Sequence, residues 1–268
     1  MKSKVLIPIG YGLNCEDETT YAFEMVGAQV DRVHLKDLFS NPDMLSNYHL
    51  LALIGGFSFG DHISAGKVLA NLYKSKLNEE IMRFISEGKL IFGECNGFQV
   101  MVKLGILPGL GNDYNTQKVT LVSNDSGVFE DRWVTLRVNT NSKCVFTKGI
   151  RKMYLPVRHG EGKFVVADKT ILDYLNRRNM ITMQYAQMVT GAPTMEYPFN
   201  PNGSIDSIAG ICDPTGRIFG LMPHPTAYLS PYNHPSWGRL KLHGKMPEKG
   251  EGVKIFENAI EYIRKNLS

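Results

Sequence analysis

Residues 91–99 read IFGECNGFQ, and this stretch decides the fold because it joins a strand pattern to a helix pattern. The apolar residues before Gly93 favour a β-strand, whereas the apolar residues of 98–104 have helical spacing. Cys95 therefore lies at a strand-to-helix corner between two glycines, Gly93 and Gly97. Small residues permit the sharp turn of a nucleophile elbow, in which the central side chain is lifted out of the sheet.

The position of Cys95 suits a nucleophile. The N-terminus of the following helix directs unpaired N–H groups and partial positive charge at the sulfur, which favours the reactive thiolate. The alternative is a small buried apolar residue, which is the usual state of a free cysteine. The pentapeptide alone leaves both interpretations open, because the pattern is short.

Upstream of the elbow, strand and helix patterns alternate through the first hundred residues. This alternation predicts a parallel sheet with helices on both faces, in which reactive groups gather at the carboxyl ends of the strands. Strands are predicted at 5–9, 30–35, 48–54 and from Leu90 onward, and helices at 16–27 and 77–86.

Downstream of Gly111 the pattern changes to short strands between turn-rich segments. We interpret this part as an antiparallel excursion of the same domain, because no low-complexity linker or repeat intervenes. The prediction is one domain covering residues 1–268, which ends in an amphipathic helix at 253–265. The strands of the excursion are predicted at 118–122, 132–138 and 163–166.

A hairpin near the end of the chain leads to a second candidate residue. Residues 207–212 and 217–222 flank an Asp-Pro-Thr-Gly turn and run into a Pro-His-Pro sequence centred on His224. The two prolines restrict the backbone, so the imidazole is held at a rigid strand end. If this strand joins the parallel sheet, His224 meets Cys95 and provides the base that a cysteine nucleophile needs.

A glycine-rich loop, GGFSFGD at 55–61, follows the third predicted strand. It lacks the Lys-Ser or Lys-Thr ending of a P-loop and the glycine spacing of a dinucleotide-binding loop. We interpret it as part of an oxyanion hole, in which the backbone N–H groups of Gly56 and Phe57 join that of Asn96. A plain tight turn is the alternative.

Composition excludes several classes of function. The chain is 43% hydrophobic and 21% charged, and its 30 basic and 26 acidic residues are interspersed, so nucleic-acid binding is not indicated. No segment approaches the length of a membrane span, about 20 apolar residues. The four cysteines lie far apart without a C-x-x-C pair, which is typical of a cytoplasmic protein with neither a disulfide framework nor a zinc site.

Together these motifs resemble the glutaminase-subunit family of phosphoribosylformylglycinamidine synthase, a branch of the class I glutamine amidotransferases of purine biosynthesis. The N-terminal GLNCEDET resembles the family's first strand-to-helix junction, so the likeness extends from Val5 to about Arg239. The other segments that carry it are GGFSFGD, GECNGFQ followed by LGILPG, the HGEG turn at 159–162, and NPNGSIDSIAGICDPTGRIFGLMPHP.

The resemblance implies a flavodoxin-like fold and hydrolysis of glutamine to glutamate and ammonia. Cys95 is expected to attack the side-chain amide and form a γ-glutamyl thioester, while His224 protonates the departing ammonia and then activates water. Gln99 matches the glutamine of the family's C-x-G-x-Q pattern and is expected to hold the substrate. His159 and Glu161, in the HGEG motif, are expected in the wall of the substrate pocket.

The resemblance also implies partners for this chain. Ammonia is expected to pass to a separate synthetase large subunit that uses ATP and Mg²⁺, and a small third subunit is common in such assemblies. No cofactor and no metal is expected in the chain itself.

Thr226 departs from the family pattern, which continues His-Pro-Glu with the glutamate orienting the histidine. A hydroxyl at this third triad position accepts a hydrogen bond from imidazole but carries no charge to stabilise the imidazolium. Because general-base catalysis supplies roughly 10²–10⁴-fold in rate, we expect activity that is reduced and not abolished.

Glu94 is a second departure, because family members usually have an apolar residue before the nucleophile. Its carboxylate is a candidate replacement for the missing acid. Side chains of adjacent strand residues point to opposite faces, however, so the favoured interpretation is a structural pair under the sheet, pointing away from Cys95.

Two other functions stay open at this point. One is a binding or regulatory subunit of the same complex, whose chemistry is weakened by Thr226. The other is a cysteine hydrolase or stress protein of the related DJ-1/PfpI group, which shares the elbow but is not expected to contain GGFSFGD or the Pro-His-Pro sequence at these places.

Overall fold

The computed structural model describes residues 2–267, and its central feature is a nine-stranded mixed sheet. The order across this sheet is β2-β1-β3-β4-β11-β10-β9-β6-β7, while β5 and β8 pair in a separate antiparallel sheet. The strands are β1 (Lys4–Ile9), β2 (Gln29–His34), β3 (Leu50–Leu53), β4 (Leu90–Glu94), β5 (Val119–Val122), β6 (Glu130–Val138), β7 (Lys152–His159), β8 (Lys163–Val166), β9 (Ile181–Ala186), β10 (Ile208–Cys212) and β11 (Ile218–Leu221). The helices are α1 (Glu16–Glu24), α2 (Leu35–Ser40), α3 (Lys67–Lys76), α4 (Asn78–Ser86), α5 (Asn96–Leu104), α6 (Lys169–Arg177), α7 (Trp237–Leu242) and α8 (Val253–Asn266).

The first half of the nine-stranded sheet is parallel. Strands β2, β1, β3, β4 and β11 run in the same direction. With β11 counted as the fifth strand, this is the 2-1-3-4-5 order typical of the flavodoxin-like fold. The predicted α/β class is therefore confirmed, and its apolar strands are explained by burial on both sides.

Helices pack on both faces of the parallel half, and β4 shows why. On one face, Phe92 makes edge contacts with Phe23 of α1 and Phe256 of α8. On the other face Gly93 admits α5, since a Cβ at this position would lie 2.1 Å from the Met101 sulfur. Because side chains alternate along β4, the large Phe92 packs against α1 and α8, whereas Gly93 leaves room for α5 on the opposite face.

The second half of the sheet is antiparallel, through β10, β9, β6 and β7. The predicted antiparallel excursion and the hairpin of β10 and β11 are both present. Strands β7 and β9 and helices α2, α3, α6 and α7 were not predicted from the sequence. Pro156 interrupts the strand pattern of β7, which tolerates a proline because it is the edge strand of the sheet.

Within residues 2–267, no helix combines the length and the apolar character needed to cross a lipid bilayer.

Candidate active site

Cys95 occupies the tip of a strained strand-to-helix turn. Its backbone lies at φ 51° and ψ −107°, between the end of β4 and the first residue of α5. For a residue other than glycine such a conformation costs of order 1–3 kcal/mol, so the surrounding structure has to hold it. The Cys95 N–H donates to the Leu221 carbonyl at 2.9 Å, which ties the turn to β11.

Gly97 shows how closely the elbow packs against the sheet. A Cβ at this position would lie 1.9 Å from the carbonyl oxygen of Leu53 in β3. No side chain fits there without moving α5 off the sheet. The second glycine of the G-x-C-x-G pattern is therefore required by packing.

His224 lies next to Cys95 because β11 runs parallel to β4, with Leu221 in register with Glu94. Its N–H donates to the Pro156 carbonyl of β7 at 2.8 Å, which anchors the residue between the two halves of the sheet. Burial by itself lowers the pKa of His224. The charges of Glu94 and Cys95 and the neighbouring Cys15 thiol outweigh burial and raise this pKa well above its ordinary value.

Glu94 points toward His224, so the expectation that it points away from the site is wrong. Its Oε1 lies 2.9 Å from His224 Nδ1, and the carboxylate is 1% exposed. Glu94 shares the Phe92 face of β4, and this is the face on which His224 lies. Strand alternation ends at Glu94, because the elbow rotates the backbone of Cys95 out of the pleat.

Thr226 contacts the carboxylate of Glu94 and does not take the place of the triad acid, as the sequence had suggested. Its hydroxyl donates to Glu94 Oε1 at 2.6 Å and its N–H donates to Glu94 Oε2 at 3.2 Å. Because the hydroxyl hydrogen is used for Glu94, Thr226 supports the carboxylate instead of replacing it. The third triad position assigned to Thr226 is corrected accordingly.

Cys15 is a second thiol near His224, and it was not predicted from the sequence. It precedes α1, it is buried, and its sulfur lies within 4.8 Å of a ring nitrogen of His224. Burial raises its pKa to about 11, although the neighbouring His224 lowers it, so the thiol stays protonated at neutral pH. We call Cys15, Glu94, Cys95, His224 and Thr226 the histidine cluster.

Within residues 2–267, one trio has metal-ligand chemistry: Cys15, Glu94 and His224, with donor atoms within 4.8 Å of one another. Glu94 Oε1 lies 2.9 Å from His224 Nδ1, so two members of the trio already contact each other directly. The Glu94 carboxylate already accepts two hydrogen bonds from Thr226. We therefore interpret the trio as a hydrogen-bonded cluster and not as a metal site.

The predicted oxyanion donors divide into two groups. The Phe57 N–H donates to the Gly12 carbonyl at 2.9 Å, so it is not available to an oxyanion, and that assignment is corrected. The cause is an antiparallel bridge between Leu13 and Gly56, which pairs the groups on either side of Gly56. Among the described residues, the N–H groups of Gly56 and Asn96 have no hydrogen-bond acceptor.

A second group of charges lies on the α5 side of the elbow, and we call Asp61, Lys103 and Glu161 the lysine cluster. Lys103 is buried, whereas Asp61 and Glu161 are half-buried. Lys103 Nζ donates to the carbonyls of Ala65 at 2.6 Å and Leu121 at 3.2 Å, and it lies 3.9 Å from Glu161 Oε2. Burial lowers the pKa of Lys103 to about 8, against the attraction of both carboxylates. Burial and the charge of Glu161 raise the pKa of Asp61 to about 6.

Asp61 and Lys103 were not predicted as site residues from the sequence. The signal for Lys103 was a cation within the apolar stripe of α5, where an unpaired charge is costly. Glu161 was predicted, and its Oε2 accepts the Ala65 N–H at 3.0 Å.

Gln99 joins Asn96, the first residue of α5, to the HGEG turn. Its Nε2 donates to the Glu161 carbonyl at 2.6 Å, and its Oε1 accepts a hydrogen bond from Asn96 Nδ2 at 3.0 Å. Asn96 Nδ2 also lies 3.4 Å from Asp61 Oδ1. The side-chain amide of Gln99 thus holds the HGEG turn against α5.

His159 is buried beneath the HGEG turn. Its Nδ1 lies 3.1 Å from Asn124 Oδ1 and its Nε2 lies 3.4 Å from Asn202 Nδ2. Burial, together with the positive charge of His224, lowers the pKa of His159 to about 3. It is therefore a neutral ring that donates from Nδ1 and accepts at Nε2, and it fixes the turn that carries Glu161.

The site is closed, since Cys95 is 5% exposed and His224 is 3% exposed. A cleft of about 680 Å³ lies elsewhere, between the segment 139–151 and α8. No histidine lines that cleft, whereas nucleophile, base and acid converge at the elbow. Chemistry and not cleft size therefore locates the candidate site.

Comparison with known proteins relates this arrangement to a family. The sequence profile of the CobB/CobQ-like glutamine amidotransferase domain matches residues 2–263. A phosphoribosylformylglycinamidine synthase subunit PurQ from Dehalococcoides mccartyi is 46% identical over 263 residues, which cover 98% of each chain. A PurQ from Methanococcus maripaludis is 43% identical over 268 residues, also 98% of each chain.

The same relationship is visible in three dimensions. A chain in the structure of PurLQS from Thermotoga maritima superimposes with a TM-score of 0.70 at 29% identity, covering 98% of this chain and 100% of that chain. The match includes both halves of the sheet, because it covers nearly all of both chains.

Proposed function

This chain belongs to the CobB/CobQ-like glutamine amidotransferase family, and we propose that it is the glutaminase subunit of a phosphoribosylformylglycinamidine synthase, acting in purine biosynthesis. The observation that carries the proposal is the pairing of Cys95 with His224 at the carboxyl ends of two adjacent parallel strands. That edge of an open α/β sheet is where such folds perform chemistry.

The first half of the proposed reaction is attack on the glutamine side chain. The Cys95 sulfur bonds to the amide carbon, and the carbonyl electrons move onto oxygen. The N–H groups of Gly56 and Asn96 stabilise this oxyanion. When the tetrahedral intermediate collapses, the imidazolium of His224 gives its proton to the amide nitrogen and the carbon–nitrogen bond breaks. Ammonia departs, and a γ-glutamyl thioester remains on Cys95.

The second half restores the enzyme. Neutral His224 takes a proton from water, and the resulting hydroxide attacks the thioester carbon. The carbon–sulfur bond breaks, glutamate is released, and Cys95 and His224 return to their charged forms. The raised pKa of His224 supports both halves, because the ring is charged at neutral pH when it must act as an acid.

We propose that the lysine cluster binds the charged end of glutamine. The carboxylates of Asp61 and Glu161 are suited to the α-ammonium group, and Lys103 places a positive charge 3.9 Å from Glu161 on the buried side. His159 and Gln99 contribute indirectly in this proposal, because they fix the HGEG turn that carries Glu161.

We further propose that ammonia passes to a synthetase subunit in an assembly with a third, small subunit, as the name PurLQS suggests for the related structure. ATP and Mg²⁺ belong to that synthetase in this proposal, and this chain holds no cofactor. The four buried free cysteines suit a cytoplasmic location. Because Cys95 is closed off, glutamine enters only when the site opens, and docking of the synthetase is the proposed trigger.

The test is labelling of the chain, coexpressed with its synthetase, by a chloroketone derived from glutamine. We expect stoichiometric modification of Cys95 and none of Cys15, as read by peptide mass spectrometry. Cys95→Ser should abolish labelling, whereas Cys144→Ser, which alters another buried thiol, should not. An unlabelled Cys95 in the assembled complex would instead support a binding or regulatory subunit without glutaminase activity.

A further inference from the structure

Glu94 is placed where an acid can hold the imidazole of His224 from behind. Its Oε1 is 2.9 Å from His224 Nδ1. The other ring nitrogen, Nε2, is then left for proton exchange with the nucleophile. Both side chains are almost completely buried, at 1% and 3% exposure. A buried charge is costly unless it is paired, so this carboxylate has a specific partner and not a solvated surface role.

Thr226 fixes the carboxylate in that orientation. The hydroxyl and the N–H of this one residue donate to different oxygens of Glu94, at 2.6 and 3.2 Å. Together with His224, these contacts occupy both oxygens of the carboxylate. Two donors from one rigid residue define the plane of the carboxyl group, which side-chain packing alone does not.

Building on the proposed glutaminase function, we propose that Glu94 is the positioning acid of His224, supplied from the strand before the nucleophile, with Thr226 as its clamp. In this arrangement Thr226, two residues after His224, is a hydrogen-bond donor, and the negative charge comes from Glu94 at the end of β4. The acid and the nucleophile are consecutive residues, and the rotation of the backbone at Cys95 lets both side chains lie near the same imidazole.

The groups that face His224 are Glu94, Cys95, Cys15 and the more distant His159. Cys15 and His159 are neutral near pH 7, since burial raises the pKa of the former and lowers that of the latter. Glu94 is therefore the fixed negative charge that acts on the ring when substrate has consumed the Cys95 thiolate. Removing it lowers the pKa of His224, because the imidazolium loses its counter-charge.

The experiment compares Glu94→Gln with the wild-type chain in complex with its synthetase. Glutamine has the shape of glutamate and keeps an acceptor for Thr226, but it has no charge. We expect kcat for glutaminase activity to fall about 10²-fold with little change in KM, because the acid acts on proton transfer and not on substrate binding. The alkaline limb of the kcat profile should move to lower pH.

Alkylation by iodoacetamide gives a readout that does not require glutaminase activity. The rate at Cys95, followed by mass spectrometry between pH 5 and about 9, reports the thiolate–imidazolium pair. In Glu94→Gln the alkaline transition of this profile should shift downward in the same way as the kcat profile. If the wild-type complex shows no glutaminase activity but the alkylation profile of Glu94→Gln still shifts, the proposed function is refuted and the positioning role of Glu94 is retained.

Three further variants provide matched controls. Thr226→Ser keeps the hydroxyl and should behave as wild type in the pH profile, whereas Thr226→Val removes it and should lower kcat by about tenfold. The double variant Glu94→Gln with Thr226→Glu returns a carboxylate from the other side, and it should recover activity over Glu94→Gln alone. A Glu94→Gln chain with unchanged pH profiles, or whose only change is lower thermal stability, overturns the proposal.

Discussion

The histidine cluster and the lysine cluster differ in how firmly their charges are held. In the histidine cluster, Glu94 contacts His224 directly and is clamped by Thr226. In the lysine cluster, the Lys103–Glu161 contact is a loose 3.9 Å, and the pKa values of Asp61 and Lys103 move toward neutrality, to about 6 and about 8. A fixed charge suits the transfer of protons, whereas charges that are only partly compensated suit a charged ligand that completes them.

The largest effect that distinguishes the clusters is expected from Gly55→Ala. A Cβ at this position would lie 2.8 Å from Cys15 Sγ and 3.2 Å from His224 Cε1, so it intrudes on the histidine cluster alone. We expect kcat to fall about 10²-fold through displacement of the imidazole, with KM nearly unchanged. Steady-state glutaminase kinetics of the complex measure both values.

The double variant Gly55→Ala with Cys15→Ala is its control. Removing the Cys15 sulfur vacates the space that the new methyl group needs, so the double variant should recover part of the lost kcat. An alanine at 55 with full activity would mean that His224 tolerates displacement, and the rigid character of the histidine cluster would be disproved.

A smaller effect is expected from Glu161→Gln in the lysine cluster. The amide keeps an oxygen for the Ala65 N–H but removes a negative charge from the proposed substrate site. KM for glutamine should rise about tenfold and kcat should stay the same, because the charge acts on binding and not on the reacting bond. Glu79→Gln, at an exposed position of α4, is the matched control. A fall in kcat without a rise in KM would contradict the assignment of substrate binding to the lysine cluster and proton transfer to the histidine cluster.

The smallest effect concerns stability and is expected from Asp61→Asn. The folded pKa of Asp61, about 6, lies above its ordinary value of 3.8, so its contribution to stability is complete below 3.8 and is lost as the pH rises through 6. The variant should therefore match wild type near pH 4 and be more stable at pH 7 by about 1 kcal/mol, less than the full pKa shift implies because solvent partly screens the half-buried Asp61. Urea unfolding at the two pH values measures this difference.

Asp173→Asn, on an exposed face of α6, is the control and should show no such pH dependence. Measurement at pH 7 stays below the titration of Lys103, whose pKa is about 8. Equal stability of the Asp61 variant and wild type at both pH values would show that the Asp61 carboxyl group is well solvated, and not part of a buried cluster.

Much of the fold was predictable because its signals are local. The strand, the two glycines and the apolar helix around Cys95 are consecutive in sequence, and the hairpin that carries His224 has a recognisable turn. Strand β7 was missed because Pro156 breaks its pattern, and a single sequence does not reveal that β7 is an edge strand.

The contacts of the site were less predictable. The orientation of Glu94 was predicted wrongly because strand alternation was applied across a residue with a positive φ angle, where alternation no longer holds. Phe57 was assigned as a free donor because its pairing with Gly12 depends on a bridge between two loops. Cys15 and Lys103 became visible only when α1 and α5 were placed on their faces of the sheet.

By itself, the sequence determined the fold class, the nucleophile at position 95 and its base at position 224, because short patterns of glycine, proline and apolar residues restrict the backbone directly. Only the tertiary structure decided which acid serves the base and which charges surround the substrate site. Those choices depend on distances of a few ångströms between elements far apart in the chain, and the packing of helices against the sheet sets such distances.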